Sequence, residues 1–262
     1  MKNLNALLKT VRDSRYGLPL AVMALGVGLS VLASSLVRES ETRLLQTRFE
    51  TRSADIRDII QSRFAQYEEV LRGAQGLFAA SHSVERDEWD AYVGSLNLMD
   101  HFPGIAGMSF AARVPAEQLK AHIAEQRAQG LHNYRVYPEG ARQQYFPIVY
   151  SSPAIGGPRL GFDVFSDVVR SQAMIQAQSS GVAKLSGRVV LAVDADIANP
   201  PAAAVLTLPV YRNGAPQNTV AERQAAVEGN VAGVFRMPEL MPSLLGSVFP
   251  DLNLEVFYSK DG

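Results

Sequence analysis

The chain has 262 residues, 47% of them apolar and 19% charged, which is enough to bury one sizeable core or two smaller ones and excludes a disordered tail or a disulfide-stapled miniprotein. Lys and Arg total 25 against 26 Asp and Glu, a net charge of -1, so the bulk electrostatic footprint of a nucleic-acid binder is missing and no nucleic-acid partner is expected. There is no cysteine, which removes disulfides, thiolate metal sites and cysteine nucleophiles.

Residues 17–37 (GLPLAVMALGVGLSVLASSLV) carry no charge over 21 positions. As a helix they would measure about 31 Å, matching a hydrocarbon core of roughly 30 Å, and predict a transmembrane helix. Lys2, Lys9, Arg12 and Arg15 precede the run with only Asp13 opposing, whereas seven Arg and seven acidic residues share 38–72. The positive-inside bias puts residues 1–16 in the cytoplasm and everything after the span in the periplasm or outside the cell, with the inner or cell membrane as the location. A cleaved signal peptide has the same basic flank, but its apolar core is usually about 7–15 residues long, and no A-x-A site closes this one. Ala24 and Gly28, or Gly26 and Ser30, are small enough for two spans to approach closely.

A stalk helix is predicted over 38–80. Leu45, Phe49, Arg52, Ile56, Ile60, Phe64, Tyr67, Leu71, Ala74 and Phe78 form a stripe with about 3.67 residues per turn, the period of a nearly straight helix pairing. The stripe can meet a second subunit near the membrane, giving a homodimer, while Tyr67 to Phe78 docks on the protein's own domain.

Shorter elements follow. Ser83 can cap a helix bearing Trp89, Tyr92, Val93 and Leu96, a strand is predicted at 105–112, and Pro115 opens a helix that Gly130 stops. Strands are read at 134–137, 145–150, 188–193, 203–211, 231–235 and 254–258, with helices at 166–180, about 221–227 and 238–245. This order is α+β.

No catalytic or metal-binding pattern is visible. His82, His101, His122 and His132 are too far apart for two imidazoles on one helical face. Gly107-Met108-Ser109-Phe110-Ala111 lacks the closing glycine of a nucleophile elbow and lies within a strand, so Ser109 reads as an ordinary strand residue. There is no phosphate-cradling glycine loop, and no cofactor is expected.

The segment from Gly161-Phe162-Asp163-Val164-Phe165-Ser166-Asp167 through Arg170 to Gly181 stands out. Together with Phe102-Pro103-Gly104-Ile105, the Tyr145-Phe146-Pro147-Ile148-Val149-Tyr150 stretch and Leu208-Pro209-Val210-Tyr211, it resembles the CHASE family of extracellular sensory domains over roughly residues 80–236. The resemblance implies a stalk followed by two PAS-like antiparallel-sheet subdomains, a membrane-distal one over 81–205 that holds a small organic ligand and a membrane-proximal one over 206–262. It also implies that the chain is the non-enzymatic, N-terminal part of a longer receptor, a sensor histidine kinase or a diguanylate cyclase. Plant members bind adenine-type ligands, and an Asp expected beside the ligand there has no clear counterpart here.

Asp163 and Ser166 can cap the following helix, or Asp163 can contact ligand; Arg170 can pair with Asp163 or Asp167, or face an anionic ligand. Tyr145, Pro147 and Tyr150 are candidate pocket walls, with Gln143 as a polar contact just before them. Phe162, Asp163, Val190, Leu191 and Leu206 complete the candidate ligand-binding set, each apolar member being equally compatible with plain core. The alternative is a periplasmic protein-interaction module without a small ligand; a tethered hydrolase would need a nucleophile and base that the sequence does not supply.

Overall fold

The computed structural model describes residues 17–153, 159–191, 194 and 197–246. The expected cytoplasmic segment 1–16 and the strand at 254–258 lie outside the described residues, as do positions 192 and 193 of the strand expected at 188–193. Helix α1 runs Gly17–Ala80. Among the described residues no helix is long and apolar enough to cross a membrane. The chain divides into two compact units between Asp58 and Ile59, and the second unit holds the sheets and every helix after α1.

Helices α2 (Arg86–Ser95) and α3 (Leu98–His101) precede strand β1 (Ile105–Ala112). The start of α2 falls later than a Ser83 cap would place it, because the Glu88 carboxylate accepts the Glu85 backbone N–H at 2.8 Å. Pro115 ends strand β2 (Val114–Pro115), and the helical backbone starts one residue later, as a 3-10 turn (Ala116–Gln118) leading into α4 (Leu119–Ala128).

The strand expected at 145–150 is two strands, β3 (Gln144–Tyr145) and β4 (Ile148–Ser152), in different sheets. Pro147 between them has no N–H to continue a ladder, so β3 pairs with β2 and β4 with β1. Residues 134–137 and 188–191 form only single bridges, Tyr137 to Phe162 and Val189 to Ala203.

Helix α5 (Val168–Ser180) follows a 3-10 turn (Val164–Ser166) and is succeeded by β5 (Lys184–Leu185), a strand too short for periodicity to reveal. Then come β6 (Ala203–Tyr211), α6 (Val220–Ala226), β7 (Val227–Arg236) and α7 (Met237–Leu245). The main sheet is antiparallel, ordered β4-β1-β7-β6-β5. The expected subdomain boundary at 205/206 falls inside β6, and β6 and β7 lie in the same sheet as β1 and β4.

Strand register sorts the two faces of this sheet. Phe110 aligns with Val231 and Leu208, and Met108 with Gly233 and Leu206, so these share one face. Against it lies the later part of α1. Phe235 sits 4.7 Å from Tyr67 and 5.6 Å from Phe64 by ring centroids, and Phe78 lies 4.2 Å from Phe110. Tyr67, Leu71 and Ala74 are fully buried, so the stripe from Phe64 to Phe78 docks on its own domain. The earlier part of the stripe differs: Phe49 is 72% exposed.

On α4, His122 Nε2 lies 2.9 Å from the Tyr134 hydroxyl, and burial lowers the His122 pKa from its ordinary 6.5. With the folded value depressed, the unfolded chain takes up the proton first, so stability is lost as pH falls below about 6.5 toward the folded value. The urea midpoint should therefore fall between about pH 7.5 and about pH 5.5, and His122→Gln should flatten that segment; equal slopes would assign the loss to other groups.

Candidate ligand site

The opposite face of the sheet carries smaller and more polar side chains. Ser109 aligns with Ser151 on one side and with Ala232 and then Thr207 on the other, and Ala111 aligns with Asn230. A cavity of about 120 Å³ lies on this face. Helix α5 closes it with Arg170, Ala173 and Met174, and the surrounding loops add Pro153, Arg159, Phe162, Val164 and Leu191.

Two acidic caps shape the loop that feeds α5. Asp163, fully buried, accepts the backbone N–H of Phe146 at 2.8 Å and of Phe165 at 3.1 Å, which ties the 3-10 turn to the β3–β4 connection. Arg142 lies 3.4 Å from its Oδ2, close enough for a charge contact but without an aligned hydrogen bond, so that oxygen accepts none. The cap of α5 itself is Asp167, which accepts the Arg170 N–H at 2.9 Å. Gly161, at φ +85°, turns the chain where a Cβ would strike the Arg135 carbonyl oxygen. That turn delivers Phe162 to the cavity.

Arg170 is buried beside the cavity. It pairs with Asp167 at 3.2 Å, donates to the Val190 carbonyl at 2.8 Å and stands 5.4 Å from the Phe162 ring centre. Burial lowers its pKa, and Asp167 opposes that shift; the guanidinium stays charged. Deeper in, Gln178 donates to Asn230 at 2.7 Å and Asn230 to Thr207 at 3.1 Å, a buried amide–hydroxyl chain that fixes the floor. At the end of β7, Arg236 pairs with Asp194 at 3.1 Å.

Of the expected site residues, Phe162 and Leu191 line the cavity. Asp163 is placed behind the loop as a cap. Tyr145 is buried away from the cavity among Val114, Tyr134 and Val136, its hydroxyl donating to the Gly140 carbonyl. Tyr150 faces the helices instead, stacked 5.9 Å from Trp89 and donating to the Val84 carbonyl at 2.6 Å. Pro147 bridges to Asp163. Gln143 is exposed, with its carbonyl accepting from Ala116. Val190 turns its side chain outward and its carbonyl toward Arg170. Leu206 lies on the helix-covered face.

Among the cavity residues that sequence reasoning passed over are Ser109, Ser151, Thr207, Asn230, Arg159 and Arg236. A signal for three of them was present: Ser109, Thr207 and Asn230 are polar residues inside strands that are otherwise apolar, and buried polar positions are the informative exceptions.

An antiparallel sheet with a long helix docked on one face and a largely apolar cavity, with a few polar side chains, on the other defines the class, an α+β module with space for a small molecule. The CHASE-domain family model matches residues 82–262, and the chain belongs to that family, whose members are sensory domains. The chain is also 29% identical over 166 residues to a protein of rice (Oryza sativa subsp. japonica) named "Probable histidine kinase 4", a match covering 62% of this chain and 15% of that protein.

Proposed function

We propose that this chain is the sensory part of a membrane receptor: it binds a small organic ligand in the cavity between the sheet and α5, and α1 conveys occupancy across the membrane. The observation that carries the reading is the cavity itself, sited in a CHASE-family domain on the sheet face opposite α1. A PAS-like description of the sheet is supported by its five antiparallel strands in the chain order 2-1-5-4-3. The uncharged sequence 17–37, the basic residues before it and the outward apolar side chains of Leu18, Val22, Leu25 and Leu29 support a span with the sensory domain outside the membrane. The named rice relative supports a cytoplasmic histidine kinase as the output; a diguanylate cyclase would serve the same topology. Exposed Phe49 in the stalk stripe supports pairing with a second copy.

Ligand and conformation are coupled only if occupancy favours one of two arrangements energetically. The chain lacks cysteine, so single cysteines placed at 45–60 give a clean cross-linking background. Native mass spectrometry of the purified chain should retain a small molecule in the cavity. Removing it should change which stalk positions cross-link. A chain that retains nothing, and whose cross-links never change, would instead fit a protein-interaction module.

A further inference from the structure

Every charged side chain on the cavity wall is a guanidinium. Arg170 and Arg236 are each paired with a carboxylate outside the lining, Asp167 and Asp194, and the Arg236 Nε is left buried without a hydrogen-bond partner among the described residues. Ala111, Ile148 and Met174 pack together as an apolar part of the wall. The lining includes Arg159, Arg170 and Arg236 and no carboxylate side chain.

Ser109 and Ser151 sit side by side across β1 and β4, and both line the cavity. A hydroxyl can both donate to and accept from a ligand atom. The Thr207 hydroxyl accepts from Asn230 and keeps its own proton to donate.

Size narrows the ligand. A volume of about 120 Å³ is well below the roughly 300–1,000 Å³ of sites for drug-sized molecules, so the occupant is a short molecule. Guanidinium groups bind carboxylates through paired, charge-assisted hydrogen bonds, and in a site screened from water the attraction is stronger than in solution.

Resting on the sensor reading above, we propose that the cavity binds a short organic carboxylate. Its charged group meets the guanidinium groups of the lining, above all the unpartnered Arg236 Nε, its polar atoms meet the Ser109 and Ser151 hydroxyls, and its carbon chain rests on Ala111, Ile148 and Met174. Neutral flat bases lack the charge that this lining complements.

The test uses the full chain with four probes: butyrate, succinate, succinamide and adenine. Isothermal calorimetry and thermal unfolding should show binding by at least one of the two carboxylates, with succinamide bound at least about tenfold more weakly than succinate where succinate is the binder. Arg159→Gln, at a partly exposed position of the lining, should weaken carboxylate binding by about tenfold or more. Ser109→Ala should weaken it several-fold without a charge change, which keeps the test sharp if an arginine variant folds poorly. Succinamide or adenine binding as tightly as the carboxylates, with Arg159→Gln neutral, would overturn the ligand class and leave the sensor reading standing. Failure of every probe, together with no molecule retained from the cell, would overturn both.

Discussion

Asp163→Ala should lower the folding stability of the domain by about 3–5 kcal/mol, the range for breaking one side of a buried, hydrogen-bonded charge contact. The carboxylate is wholly buried and holds two backbone N–H groups, those of Phe146 and Phe165, while Arg142 faces it. Alanine would leave the Phe146 N–H without its acceptor and Arg142 without its countercharge. For a domain of this size the melting temperature should fall on the order of 10 °C. Asp163→Asn keeps one oxygen acceptor and should recover part of the loss, because the backbone donors and the charge contact are then separated. A drop of less than about 1 kcal/mol for the alanine variant would show that the loop is held by other contacts. The functional corollary is specific: this loop delivers Phe162 to the cavity, so ligand affinity should fall with the alanine variant even below its melting point.

Phe235→Ala should cost about 3–5 kcal/mol, as expected for deleting a buried aromatic ring whose cavity cannot collapse. The ring is fully buried and contacts both Phe64 and Tyr67 of α1. Tyr67 is held from its other end by a hydrogen bond to the Pro103 carbonyl at 2.5 Å, so it cannot swing freely into the space. The measurable consequence is local as well as global. Amide hydrogen exchange along α1 from Phe64 to Phe78 should speed up more than exchange in β6, which has sheet partners on both sides. Uniform acceleration would mean that this part of α1 and the sheet open together. In the receptor reading, Phe235 couples the sheet that floors the cavity to the helix that leaves the domain. A Phe235→Leu variant, which keeps most of the volume, should therefore retain ligand binding while weakening the ligand's effect on stalk cross-linking.

Much of this architecture was open to reading from residue order alone. The stripe Phe64, Tyr67, Leu71, Ala74 and Phe78 is periodic, so its burial follows from helical geometry. β1 and β6 were delimited by apolar runs with breakers at both ends, and their expected bounds match the strands found. The Gly161 to Gly181 segment carried the family likeness because a left-handed glycine and two acidic caps are local requirements, expressed in adjacent residues.

The cavity was a different matter. Aromatic residues at Tyr145 and Tyr150 look like pocket walls in sequence, yet Pro147 broke their strand and sent one into a cluster with Tyr134 and the other against Trp89. Leu206 and Thr207 are neighbours in sequence, and only the pairing of β6 with β7 decides which of them meets the helices and which meets the open space. Arg159, Arg170 and Arg236 come from segments up to 77 positions apart and line one cavity only in the folded chain. Local conformation is set by neighbours along the chain, and sequence records it directly. A binding space is set by register and by which faces pack, and those are properties of long-range pairing that no short window of residues contains.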